Sequence, residues 1–415
     1  MTPSMSAVRV DGHRLLQRLR ELAEIGALPG GGCARLALTD ADRAGRDLVV
    51  GWMRELGLEV TVDRMGNVIG RRAGRDDDLA PVMCGSHIDT VATGGVYDGN
   101  YGVLSGLEVV RVLNEQQMVT RRPLAVAFFS DEEGSRFAPD MLGSLVYAGG
   151  LGVDAAYQLI GVDGARYGDE LQRIGYRGEA PCPGPAPHAY LELHIEQGPV
   201  LEASGITIGA VTGVQGISWT EVTITGQSNH AGTTPLALRR DAGLAAAELT
   251  LFVRRLADEL GGPQVGTVGL VDLHPNLVNV VPGRARLTVD LRNSSEDVLL
   301  LAEKGLHEFL DELAARDGLT IDTRVLARFE PVEFDLRMIE LVAGMADHLG
   351  QSVLRLPSGA GHDAQMLARV CPAGMIFVPS HRGISHNPAE HTEPDDLTAG
   401  ANVLLQALLQ LAEDA

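Results

Sequence analysis

Carboxylates and imidazoles recur in this chain at the ends of short apolar runs, where they can hold divalent cations or move protons. The densest group is Gly85-Ser86-His87-Ile88-Asp89-Thr90, followed closely by Tyr97-Asp98-Gly99-Asn100. Ser130-Asp131-Glu132-Glu133-Gly134, His194-Ile195-Glu196-Gln197-Gly198 and Ser385-His386-Asn387-Pro388 complete it. No thiolate is among them, and oxygen with imidazole donors suits Zn²⁺, Mn²⁺, Co²⁺ or Ni²⁺. A carboxylate shared by two ions holds them ~3.5–4 Å apart. His87 and His194 are read as terminal ligands, Asp98 as the bridge, and Glu133 and His386 as the remaining ligands. Asp89 stands two residues from His87, on the same side of an extended chain, and is expected to fix the tautomer of its imidazole. Glu132 and Glu133 are neighbours that point in different directions, so one can ligate while the other accepts a proton from water.

These residues must be brought together by elements far apart in sequence. Residues 81–84, 124–129, 189–193 and 374–379 read as short buried strands, and the ligand segments follow them or lie near them. In an open α/β sheet, ligands bind in the crevice beyond the carboxyl ends of parallel strands. Helical stretches at 15–28, 42–56 and 103–112 alternate with the strands, which predicts a largely parallel sheet with helices on both faces. Between about 213 and 328 the rhythm changes. Strands at 217–225, 264–270, 285–292 and 320–326 and helices at 240–260 and 296–316 follow the order β-α-β-β-α-β, a ferredoxin-like α+β unit. After it, helices at 336–349, 364–370 and 397–411 and strands at 352–356 and 375–378 resume the first style. The expected organisation is a discontinuous α/β domain, 1–212 and 329–415, with a second domain, 213–328, inserted in it.

At 415 residues the chain is too long for one ordinary core, and 45% hydrophobic residues suffice for two. The net charge of −21 weighs against nucleic acid or an anionic membrane as partner, since either demands a basic surface. The only lysine, Lys304, lies in a helical stretch with no glycine-rich loop beside it, against a phosphate loop or a Schiff base. Cys33, Cys84, Cys182 and Cys371 show no paired spacing and are expected as free thiols. The N-terminal residues lack the pattern of a secretory leader and no apolar run reaches the ~18 residues of a membrane span, so the expectation is a cytoplasmic protein.

The metal segments, together with Gly226-Gln227-Ser228-Asn229-His230-Ala231-Gly232-Thr233-Thr234-Pro235 and Ser358-Gly359-Ala360-Gly361-His362-Asp363-Ala364, resemble those of the hydantoinase/carbamoylase family of two-metal amidohydrolases. That family includes N-carbamoyl-L-amino-acid hydrolases, allantoate amidohydrolases and β-ureidopropionases, in the clan of aminoacylases and metallo-carboxypeptidases. The likeness runs over nearly the whole chain, and its motifs separate the family from others better than they separate its members. It implies two divalent ions on His87, Asp98, Glu133, His194 and His386, with Glu132 as general base. It implies that the inserted domain is a lid through which a homodimer forms. It also implies that His230, with a catalytic role, Asn279 and Arg292 from that domain, and Gln197 and Gly361 from the other, meet the substrate. Without the resemblance, Arg292 reads as a strand-end arginine paired with Asp290. The implied reaction is hydrolysis of the ureido C–N bond of N-carbamoyl-L-amino acids, with allantoate or N-carbamoyl-β-alanine as alternative small ureido carboxylates and a metal-free binding relative as the remote one.

Overall fold

The computed structural model describes residues 8–414, so the first seven residues of the segment read for a leader lie outside the described residues. The chain divides into two compact units, one running through Gly213 and again from Glu333, the other Val214–Val332.

The first unit is built on a central sheet. Leu124–Phe129, Val82–His87, Ala189–Ile195 and Ala373–Val378 lie side by side and parallel, flanked by Glu59–Val62 and Val68–Arg72 on one side and Ile208–Val214 and Val353–Ser358 on the other. The four parallel strands are buried along their whole length, as expected of strands covered on both faces. Pairing between Val82–His87 and Ala189–Ile195 stops at Cys84↔Leu191, so the carboxyl ends that carry His87 and His194 face each other without a ladder between them. Helix Asn100–Glu115 fits into the sheet through its glycines. A Cβ at Gly102 would strike the Leu193 carbonyl, and one at Gly106 would crowd Cys84 and Val126.

The first helix is shorter than its hydrophobic pattern predicts, spanning Gly12–Ala23. Residues 24–28 leave it because Gly26 turns at φ +89° and the Arg35 guanidinium takes the carbonyls of Leu22 and Ile25 at 3.0 and 2.7 Å. The third helix starts at Asn100 rather than 103, and both His87 and His194 belong to their strands rather than following them. The helix expected at 364–370 ends at Leu367.

The second unit has the order Gly216–Thr225, Ala242–Leu260, Val265–His274, Arg284–Asn293, Glu296–Asp317, Thr320–Phe329. Its antiparallel sheet runs 320–329, 216–225, 284–293, 265–274, with both helices on one face. Alternation decides that face. Ala285, Leu287, Val289 and Leu291 point to the helices, while Arg284, Arg286, Thr288, Asp290 and Arg292 point away. Asp241 and Ser295 cap the helices by accepting main-chain N–H groups. Leu249 is fully buried in the core between sheet and helices. Leu249→Ala should cost ~2–5 kcal/mol through lost burial and the cavity left behind, read as a shift of this unit's transition in urea melts.

Candidate metal centre

Asp98 is 4% exposed and its two oxygens face different partners. Oδ1 lies 3.4 Å from His87 Nε2 and 3.1 Å from His194 Nε2. Oδ2 lies 3.4 Å from His386 Nε2, which is itself 3.2 Å from Glu133 Oε2. Two donor groups, His87–Asp98–His194 and Asp98–Glu133–His386, therefore share one carboxylate, and each can hold a metal ion. A third group, Glu192–His194–His362, has the right residue types. Its donors are already engaged: Glu192 accepts from Ser86 Oγ at 2.6 Å and the Ala364 N–H at 2.8 Å, and His362 Nε2 meets Ser358 Oγ at 2.9 Å.

Local structure aims each donor. The Nδ1 atoms of His87 and His194 sit 2.9 and 2.8 Å from the carbonyls of Asp89 and Ile195. A proton held there means that Nε2, once it sheds its own proton, is the nitrogen that can offer a lone pair to a cation beside Asp98. The contact at His87 is made by the main chain of Asp89 rather than by its carboxylate, which differs from the expectation. The Asp89 carboxylate instead accepts the N–H groups of Glu132 and Glu133, both at 3.3 Å, and so orients the strand end that delivers the two glutamates. Glu132 Oε2 lies 3.4 Å from His87 Nε2 and Glu133 Oε2 approaches His386, so the pair does diverge. Gly99 is required beside them, because it turns at φ +64° and a Cβ there would run into the His87 ring.

Burial sets the electrostatics. It pushes the Glu132 carboxyl well above the usual range, helped by the nearby acids Asp363, Glu133 and Asp98. Burial works against the charge on Asp98 too, yet hydrogen bonds from His194, His386 and His87 hold its carboxyl well below the usual range. His386, half-exposed, is raised to about 10 by Asp98 and Glu133. His362 is pushed well below an ordinary histidine by burial and by His194, whose ring centroid is 4.6 Å away. The cleft thus pairs a carboxylate kept charged with another kept easily protonated.

Gln197 and Gly361 line the same cleft, together with Asp140 and His362. Gln197 turns at φ +58°, donates from Nε2 to Asp98 Oδ2 at 2.8 Å, and keeps Oε1 buried without a hydrogen-bond partner among the described residues. His230, Asn279 and Arg292 belong to the second unit. There His230 pairs with Val280 on a two-stranded ribbon, and the N–H of Ala231 donates to the Asn279 carbonyl at 2.9 Å, so His230 and Asn279 are neighbours and both exposed. Arg292 is paired with Asp290 at 2.9 Å, beside Trp219. His362, Asp140, Glu390 and Arg35 were not singled out from sequence. His362 and Glu390 stood within recognised segments, whereas nothing local marked Asp140, or Arg35 with its fully buried guanidinium on the Ile88 carbonyl and Asn100 Oδ1, both 2.7 Å.

The geometry agrees with what the chain is similar to. An N-carbamoyl-L-amino-acid amidohydrolase of Rhizobium meliloti is 44% identical over 405 residues, covering 98% of this chain and 97% of that one. An allantoate amidohydrolase of Escherichia coli is 36% identical, over 94% and 96%. A crystal structure of an amidase of the hydantoinase/carbamoylase family from Burkholderia multivorans superposes with a TM-score of 0.96 at 48% identity, covering 98% and 99%. The model of Peptidase family M20/M25/M40 matches residues 83–410. The chain belongs to this peptidase family and, with the relatives above, to its hydantoinase/carbamoylase amidohydrolases.

Proposed function

We propose that the protein hydrolyses the ureido C–N bond of N-carbamoyl-L-amino acids, releasing the amino acid, ammonia and carbon dioxide. The observation that carries this reading is Asp98 with one oxygen toward each of two donor groups and Glu132 beside them. The Rhizobium meliloti relative gives the substrate class. Allantoate is the second reading, favoured by the Escherichia coli relative.

The donor set fits a pair of divalent cations: three imidazoles and two carboxylates, no thiolate, and a surplus of buried negative charge. His87 and His194 would hold one ion, Glu133 and His386 the other, and Asp98 both. When bound, the ions supply Lewis acidity toward the carbamoyl oxygen and lower the pKa of water. Glu132 takes the proton of the attacking water and returns it to the leaving nitrogen, a task suited to a carboxyl whose pKa burial has raised. The unpartnered Oε1 of Gln197 accepts an N–H of the ureido group. His230 and Asn279 are proposed as further contacts of the ureido group, His230 stabilising the oxyanion. Arg292 exchanges Asp290 for the substrate carboxylate through its planar fork.

A homodimer through the second unit is part of this reading. Strand Val265–His274 is a sheet edge that exposes Val265 and Val271, and helix Ala242–Leu260 exposes Leu244 and Leu251, two turns apart on one face. An open edge with apolar neighbours is suited to pairing with a second copy. Among the described residues no helix is long and apolar enough to cross a membrane. All four cysteines are free, the state a reducing cytoplasm maintains.

Ammonia release from a panel of N-carbamoyl-L-amino acids, allantoate and N-carbamoyl-β-alanine tests the proposal, and chelation should abolish the activity. Glu132→Gln should lower kcat ~10²–10⁴-fold while metal content is kept; loss of metal from this variant would reverse the roles of Glu132 and Glu133.

Protonation of His386 yields a pH prediction for the metal-free protein. Its folded pKa of about 10 lies above the ordinary value of 6.5, so the stability it contributes is fully present below pH 6.5 and is lost as pH rises to about 10. Half-exposure keeps that contribution small. Urea melts across this range should show the loss in wild type and not in His386→Ala, and metal binding should release a proton that calorimetry in buffers of different ionisation heat detects.

For Arg292, truncation to alanine should reduce kcat/KM roughly 10- to 150-fold, the equivalent of a charge-assisted hydrogen bond. The loss should be far smaller on a substrate analogue bearing a neutral amide in place of the carboxylate. Equal losses on both substrates would make Arg292 a structural partner of Asp290 only.

A further inference from the structure

We propose that Glu390 is a positioning residue that registers the loop of His386 against the loop of Asp98, and thereby holds together the half of the site formed by Asp98 Oδ2, Glu133 and His386. The inference rests on the two-metal reading above.

Glu390 is 6% exposed, four residues after His386 and just before helix Pro394–Glu413. A buried carboxylate is costly unless donors satisfy it, so the identity of its donors says what it is for. Oε1 accepts the main-chain N–H of Tyr97 at 2.9 Å and of Asp98 at 3.2 Å. Oε2 lies 3.1 Å from Ser385 Oγ, the residue next to His386. Ser385 Oγ is also 3.1 Å from Asp98 Oδ2, so its single hydrogen serves either carboxylate. Ser385 Oγ therefore stands between the two carboxylates and ties to one or the other, while Glu390 holds the Asp98 main chain throughout. The polypeptide is shaped around the Glu390 carboxylate, because a Cβ at Gly95 would run into it.

The two halves of the centre do not depend on this clamp equally. His87 and His194 end buried strands of the central sheet, which fix their backbones. His386 lies outside any strand, turns at φ +53° and is half-exposed. Its loop is tied toward the Asp98 side by Thr93 Oγ1, which donates to the His386 carbonyl at 3.2 Å, and by the Ser385–Glu390 pair. Glu390 offers no oxygen to either donor group, so its effect on a metal ion passes through Asp98 and His386.

The test is Zn²⁺ titration against a chromogenic chelator, with metal stoichiometry by elemental analysis and the fold followed by near-ultraviolet circular dichroism, on wild type, Glu390→Ala, Glu390→Gln and Ser385→Ala. Wild type should bind two ions. Glu390→Ala should keep one tight ion and bind the other ~10–100-fold more weakly, the usual consequence of losing an outer partner of a metal ligand. Glu390→Gln should stay near wild type, since its carbonyl oxygen still accepts both main-chain N–H groups and its amide can donate to Ser385. Ser385→Ala should weaken the same ion by a smaller factor. Two ions held by Glu390→Ala with wild-type affinity, or equal weakening of both, would overturn the inference. If Glu390→Ala does not fold, Ser385→Ala decides: wild-type binding of both ions overturns it, and selective weakening of one supports it. A wild type that binds a single ion would instead refute the two-metal reading itself.

Discussion

A carboxylate has two oxygens, and at Asp98 they are turned to two different sets of partners. Much of the first unit serves that arrangement. Two parallel strands carry His87 and His194 at their carboxyl ends and stop pairing at Cys84↔Leu191, which leaves room for a third segment to enter. The segment that brings Asp98 enters there, followed by Gly99, which alone can turn against the His87 ring. Its main chain is then gripped by Glu390. Moving Asp98 would disturb both donor groups together, whereas moving any imidazole would disturb one.

Gathering so many acids has a cost that the surrounding fold offsets. Asp89, Asp98, Asp131, Glu132, Glu192 and Asp363 are all buried within or near the cleft. Burial pushes Asp89 up to about 6 and Asp131 well above the ordinary range. Two fully buried arginines answer part of this charge: Arg46 pairs with Asp42 at 2.8 Å and donates to Ser130 Oγ at 3.0 Å, and Arg35 supports Ile88 and Asn100. Strain adds to the cost. Asp131, Gln197 and His386 hold positive φ values, each costing about 1–3 kcal/mol for a residue with a side chain. An arrangement tolerated at such expense is expected where function needs it, and bound cations would relieve the crowding of charge.

The second unit treats its polar residues differently. His230 and Asn279 are set side by side by a two-residue ribbon and left exposed, and Arg292 is held by Asp290 on the sheet face opposite the helices. Pairing with Asp290 keeps the guanidinium extended and oriented without satisfying all five of its donors through that one contact. On the reading proposed above, a carboxylate-bearing substrate would compete with Asp290 for the same fork.

The candidate donors His87, Glu133 and His194, with Glu132 beside them, were legible in the sequence because they follow or end apolar runs that only buried strands explain, and the β-α-β-β-α-β order could be read from alternation alone. The early end of the first helix was not legible, since it depends on Gly26 and on an arginine nine residues further on. Nor could the sequence tell that the main chain of Asp89 meets His87 while its side chain holds Glu132 and Glu133, because both atoms lie within the same residue. Asp140, Arg35 and the clamp of Glu390 on Asp98 join segments with no local signal between them. Residue type and spacing fixed which atoms can bind a cation or carry a proton; which oxygen faces which imidazole is a matter of distances between strand ends and loops, and those are set only when the sheet, its helices and the closing loops pack together.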